Sequence, residues 1–334
     1  MPKPKIGFSF LDRPSVKEQL RLTRKAEKLG YDAVWVAETR LARDAISLLG
    51  AFAAVTERIT LGSSIVNAWT RGPALMAMTF ATLDHLAPGR MIMGLGAYWD
   101  PLAWKQGIER RKPLSQMREY IGVVRRLLAL EESVTFEGEL VKVRDLRLDL
   151  GYGDPRVPPR VPIYIGATGL KMAELGGEIA DGVILNASLS PAYVKECLAH
   201  IEIGARRAGR RLADVDTWVI VGLAMSKDGV TARETQRRHI TMYLGQQPHV
   251  GKAAGLAQTF LDQVNRTMGG WPPRPGGIEA AMELVPDEIV EMLCVAGTPE
   301  ECRRKVVAWT DAGVNNLILG PKSDYDEVLE VFAP

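Results

Sequence analysis

The chain reads as an α/β protein with a parallel sheet, and three observations predict that class. First, the segments KLGYDAVWVAE (28–38), EIADGVILN (178–186) and DAGVNNLILG (311–320) share one grammar. A helix ends, the chain turns near glycine, and a short apolar strand begins; glycine suits that exit because it takes positive φ without a Cβ clash. Second, Val34-Trp35-Val36, Val183-Ile184-Leu185 and Leu317-Ile318-Leu319 do not alternate. Continuous apolar runs are expected of strands covered by helices on the outside and packed on the inside as well. Third, eight strand candidates can be counted, with helices between most of them. Eight parallel strands close a (β/α)8 barrel, although a doubly wound open sheet uses the same alternation.

In chain order the strands are expected at Ile6–Phe10, Ala33–Ala37, Ile59–Val66, Arg90–Gly96, Pro162–Ala167, Gly182–Asn186, Thr217–Met225 and Asn316–Gly320. Behind the first strand, Ser15 and Glu18 have capping-box spacing, and Leu22, Ala26 and Leu29 share a helical face ending at Gly30. Met76, Phe80, Leu83 and Ala87 make a second stripe, started by Pro73 and stopped by Pro88-Gly89. Thr298, Pro299 and Glu301 open a third helix, with Cys302, Val306 and Trp309 at helical spacing before Gly313. Two stretches break the alternation. Residues 132–160 suggest short extra strands and the Gly/Pro loop LGYGDPRVPPR, and residues 230–295 suggest a helical insertion with the loop GGWPPRPGG. Insertions of that size cover the mouth of many barrels. Nothing marks a boundary between independent domains, so residues 1–334 are expected to form one.

Composition is that of a globular protein, with 46% hydrophobic residues and 42 basic against 40 acidic side chains. A net charge of +2 gives no clustered basic face for nucleic acid. Of two short basic clusters, ERRK (109–112) and ARRAGRR (205–211), the second ends a helical pattern, where cations complement the helix dipole. Cys197, Cys294 and Cys302 are odd in number, far apart and set among apolar neighbours, so they read as buried thiols. MPKPKIGFSFL enters a strand with no apolar signal core, and ISLLGAFAAV (46–55) is too short to cross a bilayer. A reduced, cytoplasmic protein without a membrane partner is expected. His85, His200, His239 and His249 form neither a metal cluster nor a nucleophile–base pair. No metal is expected, and the chemistry is expected from an organic cofactor.

Polar residues gather where the expected strands end. Glu38, Thr39 and Arg40 follow the second strand, Ser63 to Asn67 the third, and Gly94 to Asp100 the fourth. Gly166-Ala167-Thr168-Gly169 follows the fifth and Asn186 the sixth. These are the C-terminal ends of parallel strands, the face on which barrel enzymes carry their sites. In GATG a strand ends and a helix begins within one residue, which favours a bound phosphate at the helix N-terminus. A P-loop is excluded because no Gly-Lys-Ser/Thr follows, and GLGAYW fails the dinucleotide fingerprint at Trp99.

The stretches SSIVNAWTRGPALMAMTFATLDHLAPGRMIMGLGA (63–97), RRKPLSQMREYIGVVRRLLALE (110–131) and VPIYIGATGLKMAELGGEIADGVILNASLSP (161–191) resemble the luciferase-like flavin and deazaflavin oxidoreductases. AGTPEECRRKVVAWTDAGVNNLILG (296–320) is a weaker match. The likeness is greatest to the coenzyme F420-dependent branch that contains methylenetetrahydromethanopterin reductase. The resemblance implies a bacterial-luciferase-like TIM barrel with insertions, a homodimer, and hydride transfer between F420 and a small organic substrate. It also implies a bulged third strand with a non-prolyl cis bond at Ser64–Ile65, Ile65 backing the cofactor ring, and Asn67, Trp69, Thr70 and Arg71 beside it. Gly166, Ala167, Thr168 and Gly169 would hold phosphate, Gly96 and Ala97 would follow the ribityl chain, and Asn186 would complete the cofactor site. Trp69, Tyr98 and Trp99 would border the substrate, with Trp104 and the 230–295 insertion as further cover. Many relatives carry Asp-His where this chain has Glu38-Thr39, and an acid where it has Trp99 followed by Asp100. Glu38, Thr39 and Asp100 are therefore the candidate catalytic residues, with Glu38 nearest the reacting centre. An FMN-dependent monooxygenase on the same barrel, or a non-catalytic cofactor carrier, are the alternative functions.

Overall fold

The computed structural model describes residues 3–10, 14–150 and 160–334. Its strands are β1 Ile6–Phe10, β2 Ala33–Val36, β3 Thr60–Ser63, β4 Val66–Asn67, β5 Met91–Gly96, β6 Val134–Glu137, β7 Lys142–Leu146, β8 Ile163–Ala167, β9 Gly182–Leu185, β10 Asp216–Met225, β11 Val295–Gly297 and β12 Asn316–Pro321. The helices through the first half are α1 Val16–Lys28, α2 Ala45–Ala53, α3 Pro73–Leu86, α4 Asp100–Lys105, α5 Pro113–Leu128, α6 Leu170–Ile179 and α7 Pro191–Arg207. The insertion holds α8 Val230–Gln246, α9 Pro248–Ala253, α10 Gln258–Met268, α11 Gly277–Met282 and α12 Asp287–Leu293, and α13 Pro299–Asp311 and α14 Tyr325–Val331 complete the chain.

Parallel pairing runs β1-β2-β3-β5-β8-β9-β10-β12 and returns to β1, so eight strands close a barrel. Closure excludes the open doubly wound sheet. Each of the eight expected strands is present, but the third is divided. β3 stops at Ser63, the Ser64–Ile65 peptide is cis, and β4 resumes the pairing to β5 as Val66↔Leu95 and Asn67↔Gly96. The absence of alternation has its cause in two cores. Outward-facing residues such as Phe8, Val34, Val36 and Leu61 join the core beneath the helices. Inward-facing Trp35, Ile92, Tyr164, Ile184, Trp218 and Ile318 fill the barrel. Trp35 and Trp218 meet edge to face at 5.2 Å, and the glycines at 7 and 62 leave room that a Cβ would take from the Trp35 ring.

Ser15 caps α1 as expected, but Glu18 turns to Arg21 instead of closing the capping box. The full box forms at Thr298 and Glu301, where Glu301 also bonds the Thr298 N–H at 2.8 Å. Arg207, in the basic cluster of α7, pairs with Glu174 and Glu178 of α6. The extra strands of 132–160 are the antiparallel hairpin β6–β7, while residues 151–159 of the Gly/Pro loop lie outside the described residues. Helices α8 and α10 to α12 build a small core of their own around Ile240, Leu244, Leu261 and Met268. All three cysteines are buried and unpaired, and burial pushes the Cys197 and Cys302 thiols up to about 12. Among the described residues no helix is long and apolar enough to cross a membrane, and no cluster of His, Cys, Asp or Glu is placed to hold a metal.

Candidate active site at the barrel mouth

The broken third strand organises one side of the mouth. Ser63 is fully buried and exchanges hydrogen bonds with Gly94, accepting from its N–H at 2.9 Å and donating to its carbonyl at 2.8 Å. That exchange clamps the end of β3 to β5. The next residue, Ser64, is 7% exposed, and its Oγ has no hydrogen-bond partner among the described residues. The Ile65 side chain lies across two glycines: a Cβ at Gly96 would overlap Ile65 Cδ1, and one at Gly166 would stand 2.9 Å from Cγ2. Ile65 thus sits at the top of the barrel interior, seated in a slot that only glycine leaves open. Asn67 is buried, and its Oδ1 accepts from the N–H groups of Trp69 at 3.0 Å and Thr70 at 2.9 Å, turning the chain toward α3.

Glu38, at the end of β2, donates its N–H to the Ile65 carbonyl at 3.2 Å. Both of its carboxylate oxygens accept from Arg71, at 2.8 and 2.9 Å, with the two side chains only 15% and 20% exposed. Arg71 also pairs with Asp44, which caps α2. The Glu38 contact raises the Arg71 guanidinium above its ordinary pKa against the opposing effect of burial. Burial works against ionisation of Asp44, yet the Ser47 hydrogen bonds and Arg71 together hold its carboxyl below the usual range. Thr39 contributes its carbonyl, which accepts from Ala42 N–H at 3.0 Å.

A second ion pair ties the next two loops together. Arg110 bonds Asp100 at 2.9 and 3.0 Å, donates Nε–H to the Ala97 carbonyl, and lies 5.8 Å over the Trp69 ring. The Asp100 side chain is 69% exposed at the first position of α4, so it faces outward to Arg110. Tyr98 has φ +57°, and Trp99 is the N-cap of α4, its carbonyl accepting from Leu102 and Ala103. Trp104 is 79% exposed, so its ring stands mostly in solvent.

Opposite Glu38, Gly169 caps α6 with no side-chain acceptor, and nothing lies within 4 Å of where a Cβ would be. The open N-terminus keeps N–H groups and dipole available to an anion. Asn186 Nδ2 donates to Thr168 Oγ1 and to Tyr243 Oη, both at 3.0 Å. Tyr193 donates to the Thr168 carbonyl at 3.1 Å. The insertion therefore reaches the mouth through α8, where Tyr243 stacks on His239 with ring centres 5.8 Å apart.

The sequence model of the luciferase-like monooxygenases matches residues 5–316. The chain belongs to that family. Within the luciferase-like family it is 30% identical, over 94% of its length and 93% of theirs, to a 5,10-methylenetetrahydromethanopterin reductase of Methanolobus tindarius. It is 28% identical to an F420-dependent glucose-6-phosphate dehydrogenase of Microbacterium testaceum, covering 92% of this chain and 88% of that one. The solved structure of a coenzyme F420-dependent tetrahydromethanopterin reductase from Methanopyrus kandleri superposes with a TM-score of 0.86 at 26% identity, covering 99% of this chain and 97% of that one. At 22% identity, an F420-dependent secondary alcohol dehydrogenase shares the fold, with a TM-score of 0.77.

For this luciferase-like barrel, the structure brings Glu38, Ser64, Ile65, Gly96 and Gly166 into one contiguous patch and Thr168 and Asn186 into another. Three residues that sequence reasoning passed over act here. Arg110 joins the Trp69 and Asp100 loops, Asp44 completes the Arg71 site, and Tyr243 carries α8 to Asn186. None has a local motif. Each is defined by a contact to a residue far along the chain.

Proposed function

We propose that the protein is a coenzyme F420-dependent oxidoreductase that transfers a hydride between the deazaflavin and an organic substrate. The observation that carries this reading is the slot at the third strand. Ile65 is wedged over Gly96 and Gly166, and the buried Oγ of the preceding Ser64 has no hydrogen-bond partner among the described residues. An apolar side chain held rigid there suits the face of a planar ring, and F420 is the cofactor that the glucose-6-phosphate dehydrogenase relative and the solved reductase structure name. Bound there, F420 supplies or takes up the hydride.

The residues of the chain do the rest. Ile65 would back the ring, Gly96 and Ala97 would follow its side chain, and the turn Gly166 to Gly169, from the end of β8 to the open N-terminus of α6, would receive the phosphate. Trp69, Tyr98 and Trp99 border the substrate and exclude water, and hydride transfer needs little beyond contact in a dry, fixed geometry. Glu38 has both oxygens committed to Arg71, so its role in this reading is to hold Arg71 and the Ile65 carbonyl in place beside Thr39. Asp100 holds Arg110 over Trp69. The reading includes a homodimer, because Leu75, Met78 and Leu86 of α3 stand 47%, 51% and 50% exposed on one helical face. A reducing cytoplasm suits three unpaired thiols.

The test is turnover. Oxidised F420 is offered with isopropanol or glucose 6-phosphate, and reduced F420 with acetone or methylenetetrahydromethanopterin, each with and without oxygen. Cofactor-dependent turnover of any probe that is indifferent to oxygen supports the proposal. Turnover that requires FMN and oxygen replaces it with a monooxygenase.

A further inference from the structure

We propose that the Tyr243 hydroxyl is the proton donor of the barrel mouth, protonating the substrate heteroatom in reduction. The inference rests on the hydride-transfer reading above. Three observations lead to it. The first is position. Tyr243 Oη lies 3.0 Å from Asn186 Nδ2, at the end of β9, while its charge environment includes the Arg40 guanidinium from the loop after β2. In the closed order, β2 and β9 stand on opposite sides of the barrel. Asn186 follows β9, so the phenol it bonds stands at the C-terminal face of the barrel, the face that also carries Glu38 and Ile65.

The second observation is the direction of the hydrogen bond. An amide nitrogen only donates, so Asn186 Nδ2 fills an acceptor position on Oη and leaves the O–H to point elsewhere. Among the described residues none is recorded accepting that proton. Four other phenols are committed: Tyr31 donates to the Leu329 carbonyl, Tyr120 to that of Arg71, Tyr193 to that of Thr168, and Tyr164 to Asp216, while Tyr98 Oη accepts from Gln106 Nε2 in an exposed contact. The third is elimination of the carboxyl groups. Glu38 has both oxygens on Arg71, and Asp100 faces outward to Arg110.

The chemistry balances. Tyr243 breaks its O–H bond and gives the proton to the oxygen or nitrogen of a C=O or C=N group, whose π electrons move onto that atom. The carbon of the same group gains the hydride and its electron pair from the bound cofactor. The phenolate left behind accepts from Asn186 Nδ2–H and regains a proton from solvent. Among the described residues, the groups about this phenol are His239, stacked on its ring from the same helix, the charged Arg40 of the β2 loop, and neutral Asn186, which donates to its Oη. Burial pushes the phenol up to about 12, with Asn186 and Arg40 opposing the shift, so it is protonated in neutral solution. The substrate class implied is a carbonyl or imine with its heteroatom toward α8.

Tyr243→Phe removes one oxygen and tests this directly. The variant should bind F420 within about threefold of wild type and lose about 100-fold or more in kcat on the probe that wild type turns over. A substrate-free readout is 13C NMR of tyrosine labelled at Cζ in the apoprotein, with the Tyr243 signal assigned by its absence from the variant. That signal should remain in the neutral form at about pH 10.5, where an ordinary tyrosine is mostly ionised. A variant with wild-type kcat overturns the inference and leaves the proposed function standing. So does a variant that no longer binds F420, because the hydroxyl would then be holding cofactor. A phenol ionising near pH 10 also overturns it. Wild-type protein that fails to bind F420 or to turn over any probe removes the proposed function and this inference with it.

Discussion

Replacing Gly96 with alanine puts the slot behind the proposed ring position under test. Gly96 does not lie in the left-handed region, so its backbone accepts alanine. The new methyl would overlap Ile65 Cδ1, stand 2.8 Å from Cγ1 and 3.6 Å from Cβ. The first two contacts are impossible without moving Ile65, and the third is ordinary van der Waals distance. Overpacking of this kind costs about 1–3 kcal/mol. Ile65→Ala alone deletes both crowded atoms at a cost of about 1–3 kcal/mol, toward the low end because Ile65 is only partly buried. In the Ile65→Ala background, Gly96→Ala should cost almost nothing, since only the 3.6 Å contact survives. The double-mutant cycle should therefore show a favourable coupling of at least about 1 kcal/mol, measured by urea unfolding of the four proteins. Additivity within about 0.5 kcal/mol would mean that Ile65 is not seated against Gly96, and the argument for a glycine slot would fail.

Other consequences are simpler. Arg71→Met leaves the Glu38 carboxylate, only 15% exposed, without its two charged donors. It should lower unfolding free energy by about 1–3 kcal/mol, discounting the fully buried case for the remaining solvent contact, and an unchanged urea midpoint would contradict the assigned role. Asp326 lies between Arg21 and Lys25, and the Arg21 contact holds its carboxyl down at about 2. A depressed native pKa gives stability that is present above the unfolded value near 4 and is lost as pH falls toward 2. Because the side chain is 38% exposed, Asp326→Asn should remove under about 1 kcal/mol at neutral pH, with the difference shrinking as pH falls toward 2 and vanishing below it, as followed by thermal melts. If α3 carries the proposed homodimer interface, wild type should sediment as a dimer and Met78→Glu with Leu86→Glu as a monomer; a monomeric wild type or a dimeric variant contradicts that proposal.

How far the sequence was legible depended on the range of each contact. Runs such as Val34-Trp35-Val36 announce a strand buried on both faces, because both neighbours of the backbone impose the same apolar demand. Eight such strands limited the topology to a barrel or an open sheet, and the β1–β12 pairing decided between them. What fills the interior was hidden, because Trp35 needs the glycines at 7 and 62 on two other strands to make room. At the mouth, the residues following each strand were readable from position alone. Their partners were not: Glu38 and Arg71 are 33 residues apart and Asn186 and Tyr243 are 57, with no periodicity linking them. Asp100 shows the cost of that blindness, since a carboxylate beside the strand end turns outward once Arg110 claims it. The cis bond at Ser64–Ile65 followed from family resemblance and not from spacing.

The measurement that bears most directly on the central claim is a side-by-side titration of the purified protein with coenzyme F420 and FMN, followed by cofactor fluorescence. The account predicts micromolar or tighter binding of F420 with FMN much weaker. Preference for FMN, or binding of neither, would contradict it.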